Sequence, residues 1–532
     1  MTQDPTRRDL LAALSAGAFF LLPQIARAQA PEQATGTAQA FSYDWLVDTA
    51  RALAAEPFRP MPVADSAILD RMDYDNHNAI TFRREETLWA GQGDRSPVQF
   101  FFPGMYFKDP VHIYAVENGV AREVPFSLDL FDIPEGNPAK GLTRTEGFAG
   151  FRVMNPDMKS DWMAFLGASY WRTAGYSGQF GLSVRGLALD TAAPSGPEEF
   201  PRFTRFWLEP GAEGMLTAYA LMESPRATGA YRIASRNEAD GIHQDVEAAV
   251  FLRGDVERLG IAPLTSMFWY GKMNSRLGTD WRPEIHDSDG LEIITGTGER
   301  IWRPIGNPPR VMANAFWTPD VQGFGLMQRE RRFSEYEDDG VFYERRASVW
   351  VAPTESWGDG AVTLVEIPTD DEIHDNIVAF WTPAEPATKG KAYRLGYRLT
   401  WLADNPVPPS TGRFTAVRLG KGGIPGQPRP EGVAKIVCDF DGMGLEGVGR
   451  GEGVEVDASA SKGAIGNADC FPVAGEDYWR AWFDLDITGL AAGDDEPIDL
   501  RVFVRQEDEA KTETLLLQLF PSQIRAQLAR RG

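Results

Sequence analysis

The sequence predicts an all-β protein of two sandwiches, a large one followed by a small one. Three observations predict it. Gly (53) and Pro (37) make up about a sixth of the 532 residues, above the usual ~12% and a sign of many turns. Short runs that alternate apolar and polar residues recur from Ile80 onward, each bounded by Gly, Pro, Asn or Asp. The regular amphipathic helices that a parallel βαβ sheet needs between its strands are missing. A hydrophobic fraction of 43% and a charged fraction of 24% suit a folded chain with a large core.

Residues 1–30 read as an export signal. Arg7 and Arg8 are adjacent, Leu10 to Ile25 is apolar, and Ala26-Arg27-Ala28 and Ala28-Gln29-Ala30 both have the A-x-A form. The apolar run is about 16 residues, short of the ~20 a spanning helix needs. A cleaved twin-arginine signal is therefore expected, with a retained anchor as the alternative and no stable membrane insertion after cleavage. Phe41–Ala55 has helical spacing of Trp45, Leu46, Thr49 and Leu53. Strands are expected at Val98–Phe102, Val111–Val116, Gly181–Leu189, Phe203–Leu208, Gly214–Leu221, Gln244–Leu252, Val311–Phe316, Gly325–Gln328, Ser348–Pro353 and Val362–Ile367. Tyr393–Trp401 closes the large unit, which spans 38–404. The stretch 405–430 carries six prolines and several glycines and reads as a linker. Ala434–Asp439, Tyr478–Ile487, Ile498–Gln506 and Thr514–Phe520 then give a strand set at 431–525 that suits an immunoglobulin-like sandwich.

The net charge of −23 disfavours nucleic acid and anionic membrane surfaces as partners. The 15 Trp, 14 Tyr and 31 Phe serve β-rich cores, and exposed ones offer platforms for flat neutral ligands such as sugars. Cys438 and Cys470 are the only cysteines. They are open to pairing in an oxidising compartment or to remaining two thiols, and they are too few for an iron–sulfur cluster. No His pair has metal-ligand spacing, and no Walker, G-x-S-x-G or dinucleotide motif occurs. No cofactor and no metal are expected.

Carboxylates are then the natural acid and base. Trp281–Gly290 and Glu366–Asn376 each set acids beside a histidine at an apolar strand end, where loops on a rigid sandwich carry sites. Solvated acidic loops are the plain alternative. Gln328–Asp338 holds Arg329, Arg331 and Arg332 among aromatics, suited to sugar hydroxyls or to a surface ion-pair cluster. Trp302, Arg303 and Trp357 add edges that suit a sugar face.

Phe101–Phe107, Leu166–Tyr170, Gly181–Ala188, Glu199–Phe203, Ser224–Tyr231, Ala262–Phe268, Arg282-Pro283-Glu284, His286-Asp287-Ser288, Trp302-Arg303-Pro304, Gln322–Leu326 and Asp375–Val378 occur in order. With these segments the sequence resembles the periplasmic glucans biosynthesis protein family, the G and D proteins of osmoregulated periplasmic glucan synthesis. The match is dense over roughly 41–400 and looser beyond, and the twin-arginine start is similar to the D branch. The resemblance implies a galactose-mutarotase-like sandwich joined to an immunoglobulin-like domain, a periplasmic location, and inverting β-1,2-glucanase activity. Some relatives instead cyclise the cleaved chain. A third reading is a non-catalytic glucan-binding scaffold serving an inner-membrane glucan synthase, and a homodimer is left open.

The resemblance places the general acid on Asp375, in His374-Asp375-Asn376, and the general base on Asp287, in His286-Asp287-Ser288. An inverting pair is typically about 6.5–9.5 Å apart. In this family the base works through waters and a substrate hydroxyl, so a wider gap is compatible. Asp375 needs a raised pKa, for which Asp370, Asp371 and Glu372 are neighbours in sequence. The loop Phe333–Tyr343 departs from relatives in length and polarity, and Tyr343 and Arg345 are expected in the relay. His286, His374, Arg329, Arg331, Trp302 and Arg303 complete the expected site.

Overall fold

The computed structural model describes residues 33–529, apart from 105–106, 144–145 and 425. The expected signal at 1–30 lies outside the described residues. Two sheets face each other around one apolar core. The larger has sixteen strands. It begins at Gln39–Ala40 and runs through Val120–Val124, His112–Glu117, Arg202–Pro210, Leu216–Glu223, Ala227–Glu238, Gly241–Leu252, Ala392–Leu402, Ser348–Pro353, Gly323–Met327, Gly290–Ile294 and Arg300–Pro304. The second has ten strands, among them Asp359–Glu366, Ile377–Pro383, Leu259–Ser266, Ser183–Arg185, Tyr170–Thr173 and Asp161–Leu166. Most pairs are antiparallel, as the short alternating runs predict.

Aromatic side chains fill the space between the sheets. Phe151, Phe165 and Trp171 from the second sheet stack with centroids 5.0 and 5.5 Å apart, and Phe206 from the first meets Phe151 edge-on at 5.1 Å. A single amide satisfies two of the buried indoles. Gln244 Oε1 accepts from Trp171 Nε1 at 3.1 Å and from Trp401 Nε1 at 2.9 Å, while its Nε2 donates to Ser235 Oγ at 2.9 Å. Gln244→Met removes the acceptor for two buried donors, each costing about 1–3 kcal/mol when unpaired. Thermal unfolding should show a large fall in Tm; an unchanged Tm would mean the indoles do not depend on this amide.

Tyr43–Ala54 is the expected helix. Ser42 caps it by accepting from Trp45 N at 3.2 Å, and Arg253 donates to Leu53 O at 2.7 Å at its other end. Leu46, Val47 and Ala50 pack on the outer face of the larger sheet, against Ala230 and Ala249.

Within 405–430, the segment expected as linker, Phe414–Lys421 is a strand paired with Val433–Asp441. Phe414, Val417 and Leu419 are buried. A register shift between Phe414 and Ala416 breaks the period of two, so the flanking prolines dominate the sequence pattern. This strand joins Val433–Asp441, Tyr478–Asp486 and Ala464–Pro472 in a four-stranded sheet. That sheet shares a core with Val454–Ala460, Ile498–Gln506 and Thr514–Leu519. Those three strands continue the sixteen-stranded sheet, because Thr514–Leu519 pairs in parallel with Arg300–Pro304. Trp302, Met327 and Trp350 of the large unit belong to the same core. A helix, Pro521–Ala529, follows the last strand.

Cys438 and Cys470 are both buried thiols. Each stands opposite Ala481, on the two strands that flank it. Two strand spacings put them about 9–10 Å apart, beyond the ~7 Å limit between the Cα atoms of a disulfide. Of the two alternatives left by the sequence, the structure has the unpaired one. Among the described residues, no helix is long and apolar enough to cross a membrane.

Candidate active site

Asp375 lies just before the strand Ile377–Pro383, whose register sets Val378 opposite Thr265 and Ile377 opposite Ser266. The Thr265 hydroxyl donates to Asp375 Oδ2 at 3.0 Å, and the Tyr170 hydroxyl donates to the same oxygen at 2.6 Å. Oδ1 takes no hydrogen bond among the described residues. Burial, then the Asp375 charge, pushes the Tyr170 phenol well above its usual range, so it remains a donor. Asp375 itself is exposed. Its neighbour Asn376 is buried and acts as a clamp: Nδ2 donates to Phe268 O at 2.9 Å and Ile367 O at 2.8 Å, and Oδ1 accepts from Phe268 N at 2.8 Å.

Asp287 hangs from the same segment. Its N–H donates to Met267 O at 2.8 Å, and Ser288 Oγ meets Ser266 Oγ at 2.7 Å. Thr265 to Phe268 therefore anchors both carboxylates. Asp287 is only 4% exposed and is ion-paired with Arg346. Burial pulls the Arg346 guanidinium down to about 10, against the opposing pull of Glu372 and Asp375, so it stays charged at neutral pH. The ring of Tyr343 lies 4.2 Å from this guanidinium. The Tyr343 hydroxyl bonds to Glu372, which also accepts from Arg282 Nη2 at 2.9 Å. Both charge and geometry thus link the loops 280–289, 338–346 and 366–376.

The sequence points to Arg345; the structure turns the next residue inward instead. Tyr343–Arg345 is a single 3₁₀ turn, which leaves Arg345 exposed over the Phe342 ring at 4.3 Å and half-buries Arg346 beside Asp287. Arg331 holds that turn, donating to Glu344 O at 3.1 Å and Ala403 O at 2.6 Å. It is a backbone clamp and offers no groups to a ligand. His286 is fully buried and stacks on Phe268 at 5.3 Å. Its ring nitrogens face Gln328 Oε1 at 3.1 Å and Glu284 Oε2 at 3.2 Å. Gln328 in turn donates to Tyr343 O at 3.2 Å, so His286 braces the site from behind. His374 is exposed beside Asp375.

Trp302, Arg303 and Arg329 do not reach the site. Trp302 is 4% exposed and its face is covered by the Arg329 guanidinium at 3.6 Å. A sugar has no face to stack on there. Arg329 is buried between Glu292 and Glu513 and ties the large unit to the small one. Arg303 is ion-paired with buried Glu366 at 3.0 Å. An arginine beside aromatics is the same sequence pattern whether it binds a ligand or seals a seam. Tyr170 and Thr265 meet Asp375 through strand register, Arg346 meets Asp287 through a 3₁₀ turn, and Asn376 and Arg282 act through partners in distant segments, none of which has a local sequence signal.

Glu284, Glu330 and Glu335 converge as metal-binding carboxylates can. Their centre is occupied by Lys272, whose Nζ lies 3.0 Å from Glu330 and 3.2 Å from Glu335 and is also paired with Glu284. Burial pushes the Glu330 carboxyl up, but Arg332 and Lys272 outweigh it and hold it down to about 2. Its stabilising effect is therefore full above its ordinary value of 4.5 and is lost as pH falls toward 2. Acid unfolding should become shallower over that window in Glu330→Gln, measured by denaturant titration at several pH values. An identical pH slope in the variant would remove Glu330 as a cause.

The family model described as periplasmic glucan biosynthesis protein, MdoG, matches residues 41–519. The chain is 46% identical to glucans biosynthesis protein D 2 of Ralstonia nicotianae, over 97% of this chain and 98% of that one. It is 43% identical to a probable glucans biosynthesis protein D of Shewanella oneidensis, over 93% and 91% of the two chains. A galactose mutarotase related enzyme from Lactobacillus acidophilus covers 49% of this chain at 10% identity and a TM-score of 0.22, too low to bear on the fold. A match over nearly the whole chain, at this identity to several D proteins, means that the chain belongs to the periplasmic glucan biosynthesis protein family, MdoG.

Proposed function

We propose that this protein is an inverting β-1,2-glucanase of the periplasm, with Asp375 as general acid and Asp287 as general base. The observation that carries this reading is the unlike treatment of two carboxylates hung from one backbone segment. Asp287 is buried against Arg346, which favours its ionised form. Asp375 is exposed and takes two hydroxyl donors on Oδ2 alone. When Asp375 is protonated, Oδ2 stays the acceptor and the proton sits on Oδ1. That proton passes to the glycosidic oxygen as the bond breaks. Asp287 takes the proton drained from the attacking water through intervening hydroxyls, and the anomeric centre inverts. Inversion needs the two groups to differ in protonation at the start of the cycle.

The test is to incubate the protein with linear β-1,2-glucan and resolve the products by mass and by the anomer first formed. Shorter linear chains whose new ends are first α support the reading. Products lacking one water assign a cyclising transglycosylase instead. An intact polymer that still binds overturns catalysis in favour of a glucan-binding scaffold.

A further inference from the structure

Three large apolar side chains are exposed on the loops that meet at one guanidinium. Trp281 is 70% exposed, Ile373 73% and Val341 39%. Arg282 is the node between them. It donates to Asp280 Oδ1 at 2.9 Å, Asp338 Oδ2 at 2.6 Å and Glu372 Oε1 at 2.9 Å. Trp281 precedes Arg282, Ile373 follows Glu372, and Val341 N donates to Asp338 Oδ1 at 2.9 Å. The backbone under the indole is fixed on both sides: Arg282 N donates to Asp280 Oδ1 at 3.0 Å, and Arg282 O accepts from the Tyr270 hydroxyl at 2.8 Å. Single exposed hydrophobic residues are ordinary, but three on loops tied into one hydrogen-bonded collar point to a binding surface.

The collar is continuous with Asp287, and Glu372 lies three residues before Asp375. Glu372 reaches Tyr343, Tyr343 lies against Arg346, and Arg346 is paired with Asp287. Its charged groups select the occupant. Asp280, Asp338 and Glu372 surround Arg282 with three carboxylates, which repel anions and accept hydrogen bonds from hydroxyls. An indole beside hydroxyl acceptors suits a neutral ring with apolar C–H faces and hydroxyl edges.

We propose that Trp281, flanked by Ile373 and Val341, is a stacking platform for a glucose ring of the bound chain away from the bond being cut. This rests on the glucanase reading above. The test is calorimetric titration of linear β-1,2-glucan into Asp375→Asn protein, which leaves the polymer intact, with and without Trp281→Ala or Trp281→Phe. Trp281→Ala should weaken binding about tenfold, as expected for one lost aromatic contact, and Trp281→Phe should recover most of it. In the otherwise unaltered enzyme, KM for long glucan should rise with Trp281→Ala by a similar factor. Because the indole is mostly exposed, Tm should not move. Equal affinity and KM with and without the indole overturn the platform while leaving the glucanase reading standing. No binding by Asp375→Asn protein overturns both.

Discussion

If Asp375 is the proposed general acid, Asp375→Asn should lower cleavage of linear β-1,2-glucan by about 10²–10⁴-fold, the usual worth of such a group. The amide keeps an oxygen for Tyr170 and Thr265, so their hydrogen bonds at 2.6 and 3.0 Å have an acceptor and the strand ends stay in place. What is lost is the proton on the other oxygen. Asp287→Asn should cost a similar factor for the opposite reason, since an amide cannot take a proton from water. The two are separated by the leaving group. A glucan derivative with an acidic aryl leaving group departs without protonation, so it should recover much of the rate in Asp375→Asn and little in Asp287→Asn. Equal recovery in both variants, or a wild-type rate in either on unmodified glucan, would exchange or remove the assigned roles. Asp287→Asn also leaves Arg346 without its partner in a half-buried position, so its Tm should fall more than that of Asp375→Asn.

The strand pattern and the seam between the units differ in how much of them is local. Gln244–Leu252 and Ser348–Pro353 alternate cleanly or run fully apolar, and both are strands in the structure. Phe414–Lys421 was hidden because a bulge interrupts its period and prolines flank it. That Arg300–Pro304 pairs in parallel with Thr514–Leu519 involves residues over two hundred positions apart, for which the sequence has no local signal. The same division holds at the site. His-Asp pairs at strand ends point to both loops, and resemblance to relatives puts the proposed acid and base within them. Local pattern alone could not select Arg346 over Arg345, or Tyr170 over thirteen other tyrosines. The choice is made by a 3₁₀ turn in one case and by strand register in the other. Trp302 shows the reverse error. Its aromatic face and neighbouring arginines fit a sugar site in sequence, and burial under Arg329 gives that face to the core.

Arg346→Ala is the second large effect. Asp287 is 4% exposed, and its ion pair with Arg346 compensates for that burial. Removing the guanidinium leaves a buried carboxylate without its counter-charge, which costs about 3–5 kcal/mol or forces the group to take up a proton. Both outcomes are measurable. The sign for activity follows from the proposed base role: loss of a nearby positive charge raises the carboxyl pKa, and only the ionised carboxylate accepts a proton. The acid limb of the kcat/KM profile should therefore move to higher pH, and the rate at a fixed mildly acidic pH should fall more than the rate at the optimum. Arg346→Lys keeps the charge and should leave the limb close to its original place. It should still lose rate, because an ammonium group cannot reproduce a guanidinium over the Tyr343 ring at 4.2 Å. An acid limb that stays put in Arg346→Ala would mean that Asp287 is not the group whose ionisation limits the reaction. The base would then have to be sought among the other carboxylates of the collar, with Glu372 first, since it lies next along the same chain of contacts.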